Sequence, residues 1–423
     1  MRKYNLVVVG GGLSGVAASI SAAREGLDVL LIEKSGSLGG AISNNLVFPF
    51  MKFWEFDKDA KIKRFINTGI FTEIRQTAME FEDFGDQTGW NLVNFKPEAV
   101  KRALDKMVVD ANVQVLFHST VFDASVSDNT IKSVKVLTKS GVIEICADYF
   151  VDASGDGDLV ALSGCEYQLG REEDGLCQPM TTCFRMSGVD LDLLKKDYPI
   201  LQEKYKQARA NGDIKNPREN ILTMTGIGDG ILHLNTTRVI KLNPTDAFDL
   251  SKAEIIAREQ VYEMVKFLKA NSCAFNNATV ISVADEIGVR ESRKLKGLHL
   301  LTAKEIISCH KFDDVIAIGN YEIDIHNPSG SGTELHYFKE GENYQIPYRS
   351  LLPKEIGNLI VAGRCLSAEH KAHAAVRIMP ICACMGQAAG TAVSIAFKDN
   401  KNLCDINVKT LQDQLIKNGA TLS

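Results

Sequence analysis

Six residues near the start of the chain, Gly10-Gly11-Gly12-Leu13-Ser14-Gly15, place three glycines at the GxGxxG spacing. They lie directly behind the apolar run Leu6 to Val9 and ahead of the small-residue stretch Val16 to Arg24. In that context each glycine has a distinct task. Gly10 permits a tight turn, Gly12 lets the backbone approach a pyrophosphate, and Gly15 lets a helix lie close on a strand. The start of that helix then faces the phosphate charge. Glu33 closes a second apolar run, Val29 to Ile32, and follows Gly10 by 33 − 10 = 23 residues. An acid at about that spacing accepts from a ribose 2′-hydroxyl and disfavours a 2′-phosphate. The chemistry implied is the holding of an adenine dinucleotide. A bare glycine turn would be structural only; the strand, the helix and the acid in register set this one apart.

Other residues carry acid, base or charge. Arg290 and Arg293, within Gly288-Val289-Arg290-Glu291-Ser292-Arg293, stand three apart and would share one face of a helix, able to clamp a carboxylate through bidentate hydrogen bonds. Ion pairing with Glu291 or Asp285 is the equal alternative. Tyr321 and His326, in a stretch that ends in a turn at Asn327-Pro328, are proton-transfer candidates. His370, His373 and Arg377 precede a long run of small residues. The two histidines are spaced like a metal pair, but no third ligand follows at helical spacing and the HExxH order is absent, so no metal is expected. Cys382 and Cys384, two apart, read as small core residues.

The elements that must position these groups follow from pattern. Residues 6–33 form a βαβ unit. Residues 97–111 read as a helix opened by Pro97 and Glu98. Short β-rich runs over 113–116, 120–126, 131–137, 142–145 and 149–151, with Asp128-Asn129 and Ser140-Gly141 as turns, predict a meander returning to a central sheet. The longest helix is expected over Lys252 to Ala270 with a core-facing stripe, and Asn358 to Ala362 as a buried strand. The fold class is α/β: a Rossmann-like domain assembled from residues 1–45, 96–166 and 351–423, with an inserted α+β substrate domain from 46–95 and 167–350. A length of 423 residues agrees with two or three such units.

Composition excludes other classes. A net charge of −5 leaves no general electrostatic footprint for nucleic acid. Ten cysteines without a CxxC pair fit reduced thiols and a cytoplasmic location better than a disulfide framework, and the N-terminal residues leave no room for the apolar core of a signal peptide. Residues 378–397 carry no charge and are long enough to span a bilayer. Pro380, Gly386, Gln387, Gly390, Thr391 and Ser394 dilute them, so no membrane span is expected.

Three segments distinguish between dinucleotides. Gly39-Gly40-Ala41 offers a second turn beside an extended ligand, Val151-Asp152-Ala153-Ser154-Gly155-Asp156-Gly157-Asp158 ends a strand in glycines and carboxylates, and Asn358 to Arg364 is followed by Gly386-Gln387-Ala388-Ala389-Gly390. At these residues the chain resembles the FAD-dependent oxidoreductases with one dinucleotide-binding domain, relatives of the fumarate reductase and succinate dehydrogenase flavoproteins. The resemblance covers nearly the whole chain. It implies noncovalent FAD, with Gly10, Gly12, Leu13, Ser14 and Gly15 at the pyrophosphate, Glu33 and Lys34 at the adenosine ribose, Val121 at adenine, and Gly39, Gly40 and Ala41 on the flavin side. Ala153, Gly155 and Asp156 would pass near the nucleotide, and Gly363-Arg364 stands where many relatives have Gly-Asp. The helix of Gly386, Gln387, Ala388 and Ala389 would aim its N-terminus at flavin N1 and O2. Hydride transfer at flavin N5 to or from a small organic, carboxylate-bearing substrate follows, with His326, Tyr321, Arg290, Arg377 and His373 as catalytic candidates. A flavin monooxygenase and a noncatalytic FAD-binding protein are the alternatives. No second GxGxxG and no cysteine pair after the first argue against a pyridine-nucleotide disulfide reductase. The electron donor or acceptor is not specified by these residues.

Overall fold

The computed structural model describes residues 2–57, 62–87 and 93–423. The chain begins β1 (Arg2–Val9), α1 (Leu13–Arg24), β2 (Val29–Ile32), β3 (Trp54–Asp57), β4 (Ile62–Phe65), α2 (Ile70–Phe81), α3 (Pro97–Asp110) and β5 (Gln114–Leu116). It continues through β6 (Thr120–Ser127), β7 (Thr130–Thr138), β8 (Gly141–Asp152), α4 (Asp158–Leu162), β9 (Tyr167–Leu169), β10 (Phe184–Ser187), α5 (Leu191–Asn211), β11 (Thr223–Met224), β12 (Leu232–Leu234) and α6 (Ala247–Asn271). The remainder is β13 (Thr279–Val283), β14 (Arg293–Leu295), α7 (Ala303–Ile307), β15 (Val315–Gly319), β16 (Ile323–His326), β17 (Thr333–His336), β18 (Tyr344–Pro347), β19 (Leu359–Val361), α8 (His370–Val376), α9 (Met379–Asp399) and α10 (Val408–Lys417).

Four strands run parallel in the order β5-β2-β1-β8, with β19 parallel on β8 as well. Their continuous apolar runs are what a sheet covered on both faces requires. The expected meander is present as β6, β7 and β8, antiparallel, with Asp128 and Asn129 at positive φ in the turn. Residues 142–145 and 149–151 are one strand rather than two. Cys146 and Ala147 between them continue the ladder with β1, and β8 pairs with β7 along its first half and with β19 along its second.

Helix α9 lies along α1 on this sheet. A Cβ at Gly386 would fall on the Ser14 carbonyl and one at Gly390 on the Ala18 carbonyl. The two glycines are four apart, on one helix face, and their missing side chains set how closely the helices approach. α9 has the length and apolarity of a membrane span, yet 89% of its most apolar window is buried inside the protein.

A second core lies between Phe184 and Ala278, where α5 and α6 cover one face of the antiparallel sheet β11-β12-β10-β13. α6 starts earlier than expected because Asp246 caps the N–H groups of Phe248 and Asp249. Its buried face runs through Ala253, Ala257, Val261, Met264 and Leu268, while Ile255 is exposed. Phe48, Phe50, Phe53, Phe71 and Phe95 share the larger core with residues from the 315–352 stretch, while Leu46 packs with Cys183 and Ala284.

Candidate functional site

The glycine turn leaves β1 at the carboxyl end of the parallel sheet, where ligands of such folds bind. Gly10 has φ +103° and closes over the Ala153 carbonyl, and a Cβ at Gly15 would fall on the Gly10 carbonyl. Gly12 differs: nothing lies within 4 Å of where its Cβ would be. Helix α1 begins on Gly12 with no side-chain cap and no acid in its first turn, leaving its positive end open. Glu33 is buried and accepts from Gly11 N (2.6 Å) and Ser35 N (2.7 Å), tying the acid to the glycine turn. Gly39 donates to the Gly11 carbonyl at 2.9 Å, and a Cβ on Gly40 would lie 3.0 Å from Gly12 Cα, so Gly39-Gly40-Ala41 runs against the turn. Residues 116–119 hydrogen-bond along Glu33 and Ser35 and lead into Val121. Lys34 turns to Glu286, 3.4 Å away. These are the features a dinucleotide pyrophosphate and ribose require, and the residues present fit FAD.

The end of β19 returns over the same turn: Gly363, φ +92°, lies where a Cβ would stand 2.6 Å from Ser14 Oγ. Arg364 beside it does not enter the crevice. It pairs with Asp156 at 2.9 Å and donates to Ser292 Oγ at 3.0 Å, with Gly155 making room for its guanidinium. Burial would raise the Asp156 carboxyl, but Arg364, Ser292 and Lys34 outweigh it and hold it below the usual carboxylate range. Asp158 is driven the other way, up to about 6, by burial and by the charges of Asp156 and Asp152.

Five consecutive residues bind this region to the rest of the molecule. The stretch 288–293 is not helical; Arg293 opens β14. Glycine and extended backbone pairing with Thr181 take the place of the expected helix, so Arg290 and Arg293 part company. Arg290 donates to the Pro179 carbonyl at 2.8 Å and to Thr181 Oγ1. Glu291, fully buried, pairs with Lys294, accepts from Gln178 N at 3.0 Å and lies 2.7 Å from His370 Nδ1. Ser292 donates to Asp156 at 2.7 Å, Arg293 pairs with Asp158, and Lys294 also donates to the Gly170 carbonyl at 2.7 Å. Burial pushes the Glu291 carboxyl up, yet His370 and Lys294 bring it down to about 2.

Arg290 belongs to a partly buried polar group with Arg377, Tyr321, Asp324 and His326. Its interior position lowers its pKa to about 9, with Arg377 and Arg218 adding to the effect. Arg377 donates to Gln178 Oε1 at 3.3 Å, while Arg377 Nε and Gln178 Nε2 are buried without a partner among the described residues. Tyr321 donates to Asp324 Oδ2 at 3.2 Å, and burial with Asp324 nearby raises its hydroxyl well above 10. His326 Nε2 is 3.3 Å from Asp324 Oδ2, and Arg238 Nη2 lies 3.0 Å from His326 Nδ1. A guanidinium only donates, so Nδ1 accepts and the ring proton sits on Nε2, toward Asp324. Burial and Arg290 push His326 down to about 3, so it stays neutral; burial would raise Asp324, but His326, Arg377 and Arg290 keep it ionised.

Two expectations are corrected in placement. His373 does not face this group: it is fully buried under the 363–364 turn, its Nε2 donating to the Arg364 carbonyl at 2.7 Å, and burial keeps it neutral. Gly386, Gln387, Ala388 and Ala389 do not begin a helix. α9 starts at Met379, because Pro380 suits a first turn, and Gln387 points away to Ile70 N (3.0 Å) and the Asn418 carbonyl (3.1 Å). The end of α9 that can face a flavin is Ile378-Met379, with no side-chain cap and no acid in its first turn. Cys382 and Cys384 are buried core residues. Among the described residues no three His, Cys, Asp or Glu side chains cluster as a metal site. A cavity of about 690 Å³ is lined by Lys294 and His370 together with Gly170, Ile325, Thr333 and Glu369. Sequence reasoning missed Gln178, Arg238, Glu291 and Asp324 as members of this region.

A parallel sheet with an open glycine turn and an acid at the second strand defines a dinucleotide-binding fold. A family model described as FAD dependent oxidoreductase matches residues 5–415, and the chain belongs to that family, with FAD as its cofactor. It is similar to digeranylgeranylglycerophospholipid reductase 1 of Methanococcoides burtonii, 25% identical over 199 residues, which are 45% of this chain and 46% of the relative. It is similar as well to the ferredoxin–NADP reductase of Mycoplasmoides gallisepticum, 28% identical over 99 residues, 20% of this chain and 30% of the relative. The matched stretches thus span less than half the length of these curated relatives. Among solved structures, a geranylgeranyl bacteriochlorophyll reductase-like protein of Thermoplasma acidophilum shares the fold at TM-score 0.50 and 14% identity, over 100% of this chain and 85% of that one.

Proposed function

We propose that the chain holds FAD noncovalently along the glycine turn and exchanges a hydride between flavin N5 and a small organic substrate, bearing a carboxylate or similar oxygen group, at the face of Arg290, Arg377, Tyr321 and Asp324. One observation carries the reading: among the described residues, Arg377 Nε and Gln178 Nε2 are buried donors without partners beside an anchored Arg290. A buried donor left unpaired costs about 1–3 kcal/mol, and a substrate oxygen between them removes that cost.

Bound FAD supplies the two-electron chemistry. Arg290 and Arg377 hold the substrate oxygen and stabilise negative charge that grows on it. Tyr321 keeps its proton throughout the physiological range and donates it in a hydrogen bond to the ionised Asp324, which leaves its oxygen lone pairs to accept from the substrate. His326, bonded at both nitrogens, orients Asp324 and is a positioning residue.

Reconstitution with FAD tests the reading. The purified protein should gain a blue absorption band, bleach on anaerobic photoreduction, and recover the band with one or more members of a panel of carboxylic acids and quinones. A protein that stays colourless overturns the proposal. Recovery only with oxygen, accelerated by an organic acid that becomes hydroxylated, replaces it with a monooxygenase.

A further inference from the structure

Two more polar side chains on this face are buried and, among the described residues, have hydrogen-bonding atoms left unpaired. β10 and β12 pair so that Phe184 faces Leu234, Arg185 faces His233 and Met186 faces Leu232. Strand alternation sends Phe184, Met186, Leu232 and Leu234 into the smaller core, which leaves Arg185 and His233 side by side on the opposite face. That face meets Phe48, whose ring centroid is 5.6 Å from that of His233. Arg185 is 9% exposed and, among the described residues, its Nε and Nη2 have no hydrogen-bond partner, the Glu98 carboxylate acting on it only by its charge; His233 is 0% exposed and neither ring nitrogen has a described partner. Burial and the neighbouring Arg185 push His233 down to about 3, so it is neutral and offers one N–H without a second charge.

A guanidinium with unsatisfied nitrogens in the interior is among the least favourable arrangements a fold can keep. Planar donors from Arg185 next to an imidazole N–H match the two oxygens of one carboxylate. The pair is continuous with the substrate face. Thr181, Cys183 and Arg185 alternate along one extended run, Thr181 binds Arg290, and the Cys183 thiol feels both Arg290 and Arg185. Four residues of extended chain separate the two arginine ends, about 13 Å. Cys183 between them packs with Leu46 and Ala284 in a small apolar cluster.

We propose that Arg185 and His233 form a distal oxyanion point of the substrate site, which takes the carboxylate of an apolar-bodied organic acid at the end remote from the hydride transfer. The proposal rests on the functional reading above. It predicts that the substrate is recognised at two points, with the apolar body lying over Leu46, Cys183 and Ala284.

The test is a titration of the FAD-loaded protein with hexanoate, benzoate and 3-phenylpropionate and with their neutral amides, followed by the flavin difference spectrum and by Tm. At least one acid should bind, its amide about tenfold or more weaker. Arg185→Met should weaken the acid by a similar factor, Arg185→Lys by less, and unliganded Arg185→Met should melt no lower than the parent, since a buried cation with unsatisfied nitrogens has gone. His233→Gln serves as the second variant and should weaken the acid severalfold. The proposal is overturned if no acid in the panel binds, if Arg185→Met binds acid as the parent does, or if that variant fails to fold while His233→Gln leaves affinity unchanged. Loss of FAD binding would sink the functional reading instead, and the acid-dependent Tm of the flavin-free protein would still report on Arg185.

Discussion

Gly12 and Glu291 show how differently single residues are constrained. Gly12 has φ −66° and ψ 177°, open to any L-residue, and free space at its Cβ. Gly12→Asp should therefore fold with a Tm close to the parent and bind FAD at least about a hundredfold more weakly, because a carboxylate against the pyrophosphate costs several kcal/mol; fluorimetric FAD titration reads this. Glu291 is constrained by charge. Its carboxyl lies below its ordinary value of 4.5, at about 2, so the fold binds the ionised form. The stabilisation is present above about pH 4.5 and fades as pH falls toward 2. Glu291→Gln should cost about 3–5 kcal/mol at neutral pH by stranding Lys294, and the Tm deficit should shrink as the pH is lowered through that window. The glycine turn and Glu33 were legible in the sequence because their partners are local. Glu291, Asp324 and Arg185 were not: Glu291 meets Gln178 across 113 residues and Arg238 meets His326 across 88, and a charged residue alternating with apolar ones in a strand reads as solvent-facing until the covering layer is known.

Among elements, the contact of α1 with α9 sets the crevice, since it fixes the open N-terminus of one helix beside the end of the other. Gly390→Val would drive a branched side chain into the Ala18 carbonyl and should destabilise by about 3 kcal/mol or more, read as a lowered Cm in urea with m unchanged. Ser19, next along α1, provides the contrasting substitution. It is buried with no hydrogen-bond partner for its hydroxyl, and Ser19→Ala should be neutral or stabilising by about 1 kcal/mol in the same urea titration. The βαβ unit, the meander and the buried strand over 358–362 were readable from period and turn chemistry. The register of α9 was not. Its composition is uniformly small, so nothing local showed whether GQAAG began the helix or lay two turns inside it.

At the scale of the molecule, Arg238 is one of the side chains that tie the surroundings of the second core to the larger one. Only 1% of its side chain is exposed, and it reaches from beside the second core to the Gly330 and Gly332 carbonyls (3.3 and 3.0 Å), to Thr333 Oγ1 (3.3 Å) and to His326, while pairing with Glu219 at 3.2 Å. The hairpin β16–β17 that it clasps has only two strands, a marginal arrangement unless pinned. Arg238→Met should raise hydrogen exchange over 323–336 by about tenfold or more while β1, β2 and β8 stay protected. Discontinuity of the dinucleotide fold was legible from the return of α/β patterning near residue 358. The membership of the phenylalanines of the 46–95 stretch in the larger core was not, because an aromatic-rich stretch has no period that names the surface it will cover.

The run from Arg290 to Lys294 points successive side chains at Pro179 and Thr181, at His370, at the 153–158 loop and at the Gly170 turn. Removing one residue there would hand every anchor to the wrong neighbour at once, so a change of length costs more than substitution at any single site, Glu291 included. The Arg171–Gly175 turn, closed mainly by its own Asp174, would absorb the same deletion.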